Sequence, residues 1–240
     1  MRKSETERFA VIVAGGSGKR MESELPKQFM KLANRPVMLH TLHVFHEFDR
    51  KLKIIIVLHS DYFDIWNSIC EEYLCTVPHE VIKGGETRFD SVNNGLEAIK
   101  SDNGFVAIHD AVRPLVSVDT ISRCFDSAMK YGNALPAISP NESVRIAIAG
   151  GNKPLDRKNI YLVQTPQVFS ISRIKEAYKQ KYKPEFTDDA TVFETLGENI
   201  NIVKGDILNI KLTTSIDMEF AETVLKRRSN LPKTTGIQNR

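Results

Sequence analysis

Short runs of apolar, often β-branched residues alternate along the chain with stretches whose apolar positions recur every three or four residues. Residues 9–14 are apolar without polar interruption and read as a strand buried on both faces, and residues 52–58, LKIIIVL, read as a second strand. Residues 36–47 and 61–73 read as helices, and residues 80–82 as a short strand ahead of Gly84-Gly85. Residues 88–100 place Phe89, Val92, Leu96 and Ile99 at helical spacing. Residues 118–130 set Ile121, Cys124, Phe125 and Ala128 on one helical stripe. Residues 105–109, 133–138 and 200–203 are further predicted strands, and residues 215–227 a closing helix with Ile216, Phe220 and Val224 in register.

Strands alternating with helices imply βαβ units. The expected class is therefore α/β, a mostly parallel twisted sheet with helices on both faces. In such sheets ligands sit outside the carboxyl ends of the strands, so loops directly after strands are where chemistry is expected. One region breaks the alternation. Two alternating runs, residues 143–149 and 159–164, flank Gly150-Gly151-Asn152 and signal a hairpin. Residues 139–163 are thus expected to project as a β-arm, a candidate dimer contact or lid, from a single domain spanning residues 1–228. Residues 229–240 read as a flexible tail.

Composition adds exclusions. With 41% apolar, 26% charged and 8% aromatic residues, the 240-residue chain is an ordinary globular one rather than disordered or fibrous. Its net charge of +3 comes from 33 basic and 30 acidic residues. Lys226, Arg227, Arg228, Lys233 and Arg240 lie in the last fifteen positions without an acid, which leaves 28 basic against 30 acidic residues before them. The positive charge is therefore a tail property, and a broad face for nucleic acid is not expected. Cys70, Cys75 and Cys124 form neither a disulfide framework nor a CxxC pair and read as reduced thiols. No apolar run approaches the ~20 residues of a membrane span. Export is disfavoured because residues 9–14 are too short a run and Glu5 and Glu7 sit where a basic region belongs. The expected location is the cytoplasm.

The strongest chemical signal is residues 14–21, AGGSGKRM, directly after the first strand. Glycines there let backbone N–H groups approach an anion closely. Two familiar readings fail on spacing. A Walker loop needs Gly where Val13 stands and Ser or Thr where Arg20 stands, and a dinucleotide fingerprint started at Gly16 meets Met21 where Gly belongs. The attached cations Arg20 and Lys27, with Pro26 stiffening the path, suit a polyphosphate whose charge grows in a phosphoryl transition state. The plain alternative for each is a solvated surface cation.

The second signal is residues 108–114, IHDAVRP, at the end of a strand. Asp110 there suits Mg²⁺, which takes one or two carboxylates plus phosphate oxygens. The plain alternative is a turn cap paired with Arg113, and His109 reads as structural. Residues 84–91, GGETRFDS, offer backbone donors and room for a base or ribose, or a plain loop and cap. Asp156-Arg157, residues 164–167 (QTPQ) and Asn209-Ile210-Lys211 complete the set, with Lys211 placed to meet a second phosphate. His40, His43 and His46 do not converge on a metal, because steps of three on a helix rotate each side chain away from the last by about 60°. They read as polar helix positions.

Taken in order, seven segments resemble the cytidylyltransferase family that includes 2-C-methyl-D-erythritol 4-phosphate and ribitol-5-phosphate cytidylyltransferases. They are residues 14–29, 84–91, 108–114, 156–157, 164–169, 187–190 and 209–214, and the resemblance spans roughly residues 8–227. The glycine loop, HDAVRP and QTPQ are common to both branches. Asp156-Arg157 and TDDA at 187–190 look more like the methylerythritol branch.

The resemblance implies a Rossmann-like nucleotidyltransferase fold and a homodimer joined through the β-arm. It implies transfer of CMP from CTP to a sugar-alcohol phosphate with a divalent cation, Mg²⁺. Arg20 and Lys27 would stabilise the triphosphate and the transition state. Ala14, Gly15, Gly16, Gly85, Glu86 and Ser91 would hold the nucleotide. Asp110, Arg113, Arg157, Thr165 and Lys211 would hold the second substrate, with Asp110 beside the metal. Ser143 stands where the family usually has Thr, on an arm that reaches the neighbouring subunit's site, and the stretch around Pro140-Asn141 is one residue longer than usual. Glu86 stands where Asp also occurs. Another sugar-phosphate nucleotidyltransferase and a non-catalytic nucleotide-binding protein are the competing readings.

Overall fold

The computed structural model describes residues 6–14 and 25–230. β1 (Arg8–Val13) is followed by a small hairpin of β2 (Lys31–Leu32) and β3 (Arg35–Pro36), then by α1 (Val37–Phe48). Strict alternation follows through β4 (Lys53–Leu58), α2 (Phe63–Glu72), β5 (Glu80–Lys83), α3 (Arg88–Ala98), β6 (Phe105–Asp110), α4 (Val118–Tyr131) and β7 (Asn133–Ile138). After it come β8 (Val144–Ile148), β9 (Gly151–Leu155), β10 (Leu162–Val163) and β11 (Gln167–Ser170). α5 (Ile171–Tyr178), α6 (Asp189–Glu194), β12 (Ile202–Lys204) and α7 (Ser215–Asn230) complete the described order.

The main sheet runs β10-β7-β11-β6-β1-β4-β5, with β12 on the far side of β7. The pairs β1·β4, β1·β6, β4·β5 and β7·β12 are parallel, while β11 is antiparallel to both β6 and β7. The period of two along β1 explains why its sequence after Arg8 is apolar throughout. Ala10 and Ile12 join Leu42 and Phe45 of α1 and Phe125 of α4 on one face. Phe9, Val11 and Val13 join Val92 and Leu96 of α3, Ile174 of α5 and Phe193 of α6 on the other. Each fully buried Leu, Ile or Phe in these layers contributes about 1.5–3 kcal/mol. No described helix is long and apolar enough to cross a membrane.

Two expectations change. The second leg of the arm is β9, not residues 159–164. Ile148 pairs with Gly151, and Gly150 adopts φ +79°, so the turn closes at once and the return strand begins immediately. Its sequence, GNKPL, carries no apolar alternation to announce it. Residues 162–163 instead rejoin the main sheet against β7. The alternation of runs also left β11, α5 and α6 unmarked. β11 is four residues long and gains its partners from β6 and β7, so tertiary pairing rather than local pattern creates it.

Candidate active site

The carboxyl ends of β1, β5 and β6 open on one edge of the sheet, as the parallel pairing requires. Val13 lies opposite Asp110 in the β1·β6 register, and the Ala111 N–H donates to the Val13 carbonyl at 3.0 Å. Ala14 and Asp110 therefore sit side by side. The buried Gln28 side chain donates to the Ala14 carbonyl at 2.8 Å and fixes the point where the glycine loop begins. Gly15, Gly16 and Arg20 lie outside the described residues.

The loop after β5 bends over the start of α3. A Cβ on Gly85 would stand 2.2 Å from the Asp90 Cβ, so only glycine fits. The Gly85 N–H donates to Ser91 Oγ at 3.1 Å. Thr87 caps α3 in a reciprocal box with Asp90, so the loop is both a cap and a tightly closed turn. Glu86 is exposed at its tip.

Asp110 is the electrostatic centre. Its side chain is almost entirely buried, yet three cations reach it: Arg88 Nε at 3.5 Å from Oδ1, and Arg113 Nε at 3.3 Å and Lys211 Nζ at 3.0 Å from Oδ2. Burial pushes its pKa up, but Arg88, Lys211 and Arg113 outweigh burial and hold the carboxylate well below its usual range. Burial pulls the Arg113 guanidinium down, against the pull of Asp110. Arg113 also donates to the Asn209 carbonyl at 2.9 Å.

Thr165 locks the main chain of this centre. Its hydroxyl accepts from the Asp110 N–H at 3.2 Å and donates to His109 Nδ1 at 3.0 Å. His109 Nε2 donates in turn to the Arg113 carbonyl at 3.2 Å. Those partners require the neutral tautomer with its proton on Nε2. Burial above all lowers the His109 pKa to about 3, so the ring stays neutral at physiological pH. The sequence reading of His109 as structural stands. Asn209 donates from Nδ2 to the Thr165 carbonyl at 2.8 Å, while its buried Oδ1 has no hydrogen-bond partner among the described residues.

Lys27 opens a short 3-10 turn, Lys27–Phe29, after Pro26. Its Nζ donates to the Thr213 carbonyl at 3.4 Å, two residues from Lys211. Asp217 anchors that segment by accepting from the N–H and hydroxyl of Thr213 and from the Thr214 N–H at 2.7–2.8 Å. Lys27, Lys211, Arg113, Thr165 and Asp110 are thus brought together at the sheet edge.

Ser143 and Arg157 are not. Both are exposed at the base of the β8–β9 hairpin, where the Arg157 guanidinium donates to the Asn141 carbonyl and ties the two legs together. His40 and His43 hydrogen-bond to the carbonyls of Leu32 and Leu39 respectively. Arg88, Asp189 and Gln28 lie inside the motif segments without a role there, and Asn209 stands only as part of Asn209-Ile210-Lys211. Their roles appear with their partners in the fold, such as the Arg88–Asp189 pair 101 residues apart.

A family model described as 2-C-methyl-D-erythritol 4-phosphate cytidylyltransferase (IspD) matches residues 9–227. The chain is 46% identical over 218 residues to the protein of that name from Bacteroides fragilis, covering 91% of this chain and 99% of that one. It is 44% identical over 222 residues to the protein of the same name from Porphyromonas gingivalis strain W83, covering 92% and 99%. Among solved structures it resembles the 4-diphosphocytidyl-2C-methyl-D-erythritol synthase of Anaerococcus prevotii, with a TM-score of 0.80 and 29% identity over 92% of this chain and 97% of that one. The Francisella tularensis enzyme gives a TM-score of 0.76 and 31% identity over 91% and 99%. With a family model matching residues 9–227 and relatives 44–46% identical over more than nine-tenths of its length, the chain belongs to the 2-C-methyl-D-erythritol 4-phosphate cytidylyltransferase family.

Proposed function

We propose that the chain transfers CMP from CTP to 2-C-methyl-D-erythritol 4-phosphate and releases pyrophosphate, forming 4-diphosphocytidyl-2-C-methyl-D-erythritol in isoprenoid biosynthesis. The observation that carries the residue-level reading is Asp110 ringed by Arg88, Arg113 and Lys211 beside Ala14 at the ends of parallel strands. The ribitol-5-phosphate reading has weaker support, because the family model and the relatives named above all carry the methylerythritol name. The test is pyrophosphate release that requires CTP and the acceptor together.

The chemistry is an in-line displacement at the α-phosphorus of CTP. An oxygen of the acceptor's phosphate forms the new P–O bond while the bond to pyrophosphate breaks. A phosphate monoester is already an anion, so no strong base is required. His109, neutral and engaged at both ring nitrogens, supplies none. Lys27 and Arg20 stabilise charge on the transferring and leaving phosphates. Gly85 and Ser91, with Glu86 at the loop tip, hold the base and ribose, and Ala14, Gly15 and Gly16 cradle the phosphates. Lys211, Thr165 and Arg113 orient the acceptor.

Asp110 is a lone strand-end carboxylate, and no cluster of three or more His, Cys, Asp or Glu exists among the described residues. That donor set fits Mg²⁺, which draws most of its ligands from phosphate oxygens and water. When bound, the ion neutralises triphosphate charge, and Asp110 is the residue that would hold it.

The arm supports a dimer. Ile146 and Ile148 are exposed on β8, and Tyr161, Leu162 and Val163 are exposed beyond the hairpin. Covering these residues with a second copy would bury an apolar strip and bring Ser143 and Arg157 to a neighbouring site. Free Cys70, Cys75 and Cys124 agree with a cytoplasmic location. Arg157→Ala is expected to raise KM for the sugar phosphate roughly 10–100-fold, the worth of one charged hydrogen bond, with a smaller change in kcat. Steady-state kinetics with varied acceptor check it, and an unchanged KM removes Arg157 from the site.

A further inference from the structure

The carboxylate of Asp110 is held from one side by two groups from separate motif segments, Arg88 of residues 84–91 and, behind it, Asp189 of residues 187–190. Arg88, the first residue of α3, makes a two-pronged contact with Asp189: Nη1 donates to Oδ1 at 2.8 Å and Nη2 to Oδ2 at 2.7 Å. Asp189 is fully buried, and the Tyr178 hydroxyl donates to its Oδ1 at 2.6 Å. With both prongs occupied, the planar guanidinium cannot turn, and its remaining nitrogen, Nε, faces Asp110 Oδ1 at 3.5 Å.

The same contacts return to Asp110 by a second route. Asp188, the cap of α6, accepts from Gln167 Nε2 at 2.8 Å, and Gln167 Oε1 accepts from the Ala190 N–H at 2.9 Å. Gln167 begins β11, two residues after Thr165, whose hydroxyl holds the Asp110 N–H. The side chain and the main chain of Asp110 are therefore tied to the start of one buried helix. Meanwhile Arg88 opens the helix directly after the loop whose Gly85 N–H donates to Ser91. A single guanidinium joins the proposed nucleotide loop to the strand-end carboxylate.

We propose that Arg88 and Asp189 are positioning residues. The clamped guanidinium aims the Asp110 carboxylate so that Oδ1 meets Arg88 while Oδ2 meets Arg113 and Lys211, the cations proposed to orient the acceptor phosphate. This rests on the cytidylyltransfer reading given above. Arg88 and Asp189 act through Asp110, so their loss should lower kcat more than it weakens either substrate.

The test uses the whole chain and pyrophosphate release. Arg88→Lys keeps the charge but cannot fill both Asp189 prongs and face Asp110 at once. Misplacing a reacting group by about 1 Å costs on the order of 10²-fold, so kcat per folded enzyme should fall about 10–100-fold while both KM values stay within about threefold. A second variant separates positioning from folding. Arg88→Met combined with Asp189→Leu and Tyr178→Phe replaces the buried ions with apolar groups, an exchange that is often neutral or stabilising. The proposal expects its melting temperature to match wild type while kcat stays low. Wild-type kcat in Arg88→Lys overturns the proposal, as does kcat that recovers together with the melting temperature in the triple variant. If the triple variant does not fold, Arg88→Lys decides alone. A wild-type enzyme that releases no pyrophosphate would instead sink the activity reading, a distinct failure.

Discussion

Lys27→Ala lowers turnover by about 10²–10³-fold, the usual loss when one stabiliser of transition-state charge is removed, and leaves the fold intact. The structure separates those two effects. The backbone at Lys27 is set by its neighbours: Pro26 precedes it, and Gln28 and Phe29 are buried. The side chain reaches along the sheet edge to the Thr213 carbonyl, beside the segment that carries Lys211. Truncation therefore removes a positive charge from the phosphate side of the site without opening the core. Initial rates of pyrophosphate release, read with a thermal melt of the same sample, check this. Near-wild-type turnover would remove Lys27 from the catalytic centre. Arg20 carries the same expectation from its place after the glycine loop.

Asp110→Asn is expected to damage both stability and activity. Arg88 keeps Asp189, but Arg113 loses its carboxylate partner while remaining largely buried. Breaking a buried ion pair from one side costs about 3–5 kcal/mol. For a domain of this size that corresponds to a fall of roughly 6–20 °C in melting temperature, since 1 kcal/mol shifts it by about 2–4 °C.

The pH dependence follows from the sign of the shift. The Asp110 pKa is depressed in the folded state, so its stabilisation is complete above the unfolded carboxylate value of about 3.9 and is lost as pH falls through the folded value. The gap between wild type and Asp110→Asn should be constant from about pH 5 to 8 and narrow below about pH 4. A gap that closes near neutrality would show that Asp110 is not held ionised by its three cations. Turnover should fall at least as far as in Lys27→Ala, because Lys211 and Arg113 lose the group that orients them.

How much of this was legible in the sequence differs from element to element. β1, β4 and β6 announce themselves by unbroken apolar runs, Phe9–Val13, Ile54–Leu58 and Phe105–Ile108, because strands covered on both faces are apolar where they cross the core. α4 does so through its stripe, its Ser117 cap and Gly132, which ends it at φ +91°. β11 could not be read, since Val168 and Phe169 are too short a run to show a period and their place is chosen by β6 and β7. β9 was misplaced because Lys153 and Pro154 hide a strand that a two-residue turn imposes.

The site divides in the same way. Asp110, Thr165, Lys27 and Lys211 stand in short motifs beside strand ends and were named in advance. Arg88 read as part of a helix start and Asp189 as part of a motif. Their meaning lies in a contact that only the folded chain brings together. Ser143 and Arg157 remain on the arm, away from the Asp110 cluster, in keeping with a site completed by a second copy.

The central claim, cytidylyl transfer to a methylerythritol phosphate, is tested most directly by one assay. The protein is incubated with CTP and Mg²⁺ and given either 2-C-methyl-D-erythritol 4-phosphate or ribitol 5-phosphate, and pyrophosphate is measured. The account predicts release with the methylerythritol phosphate, matched one for one by the diphosphocytidyl product, and little with the ribitol phosphate. Faster release with ribitol phosphate, or none with either acceptor, would contradict it.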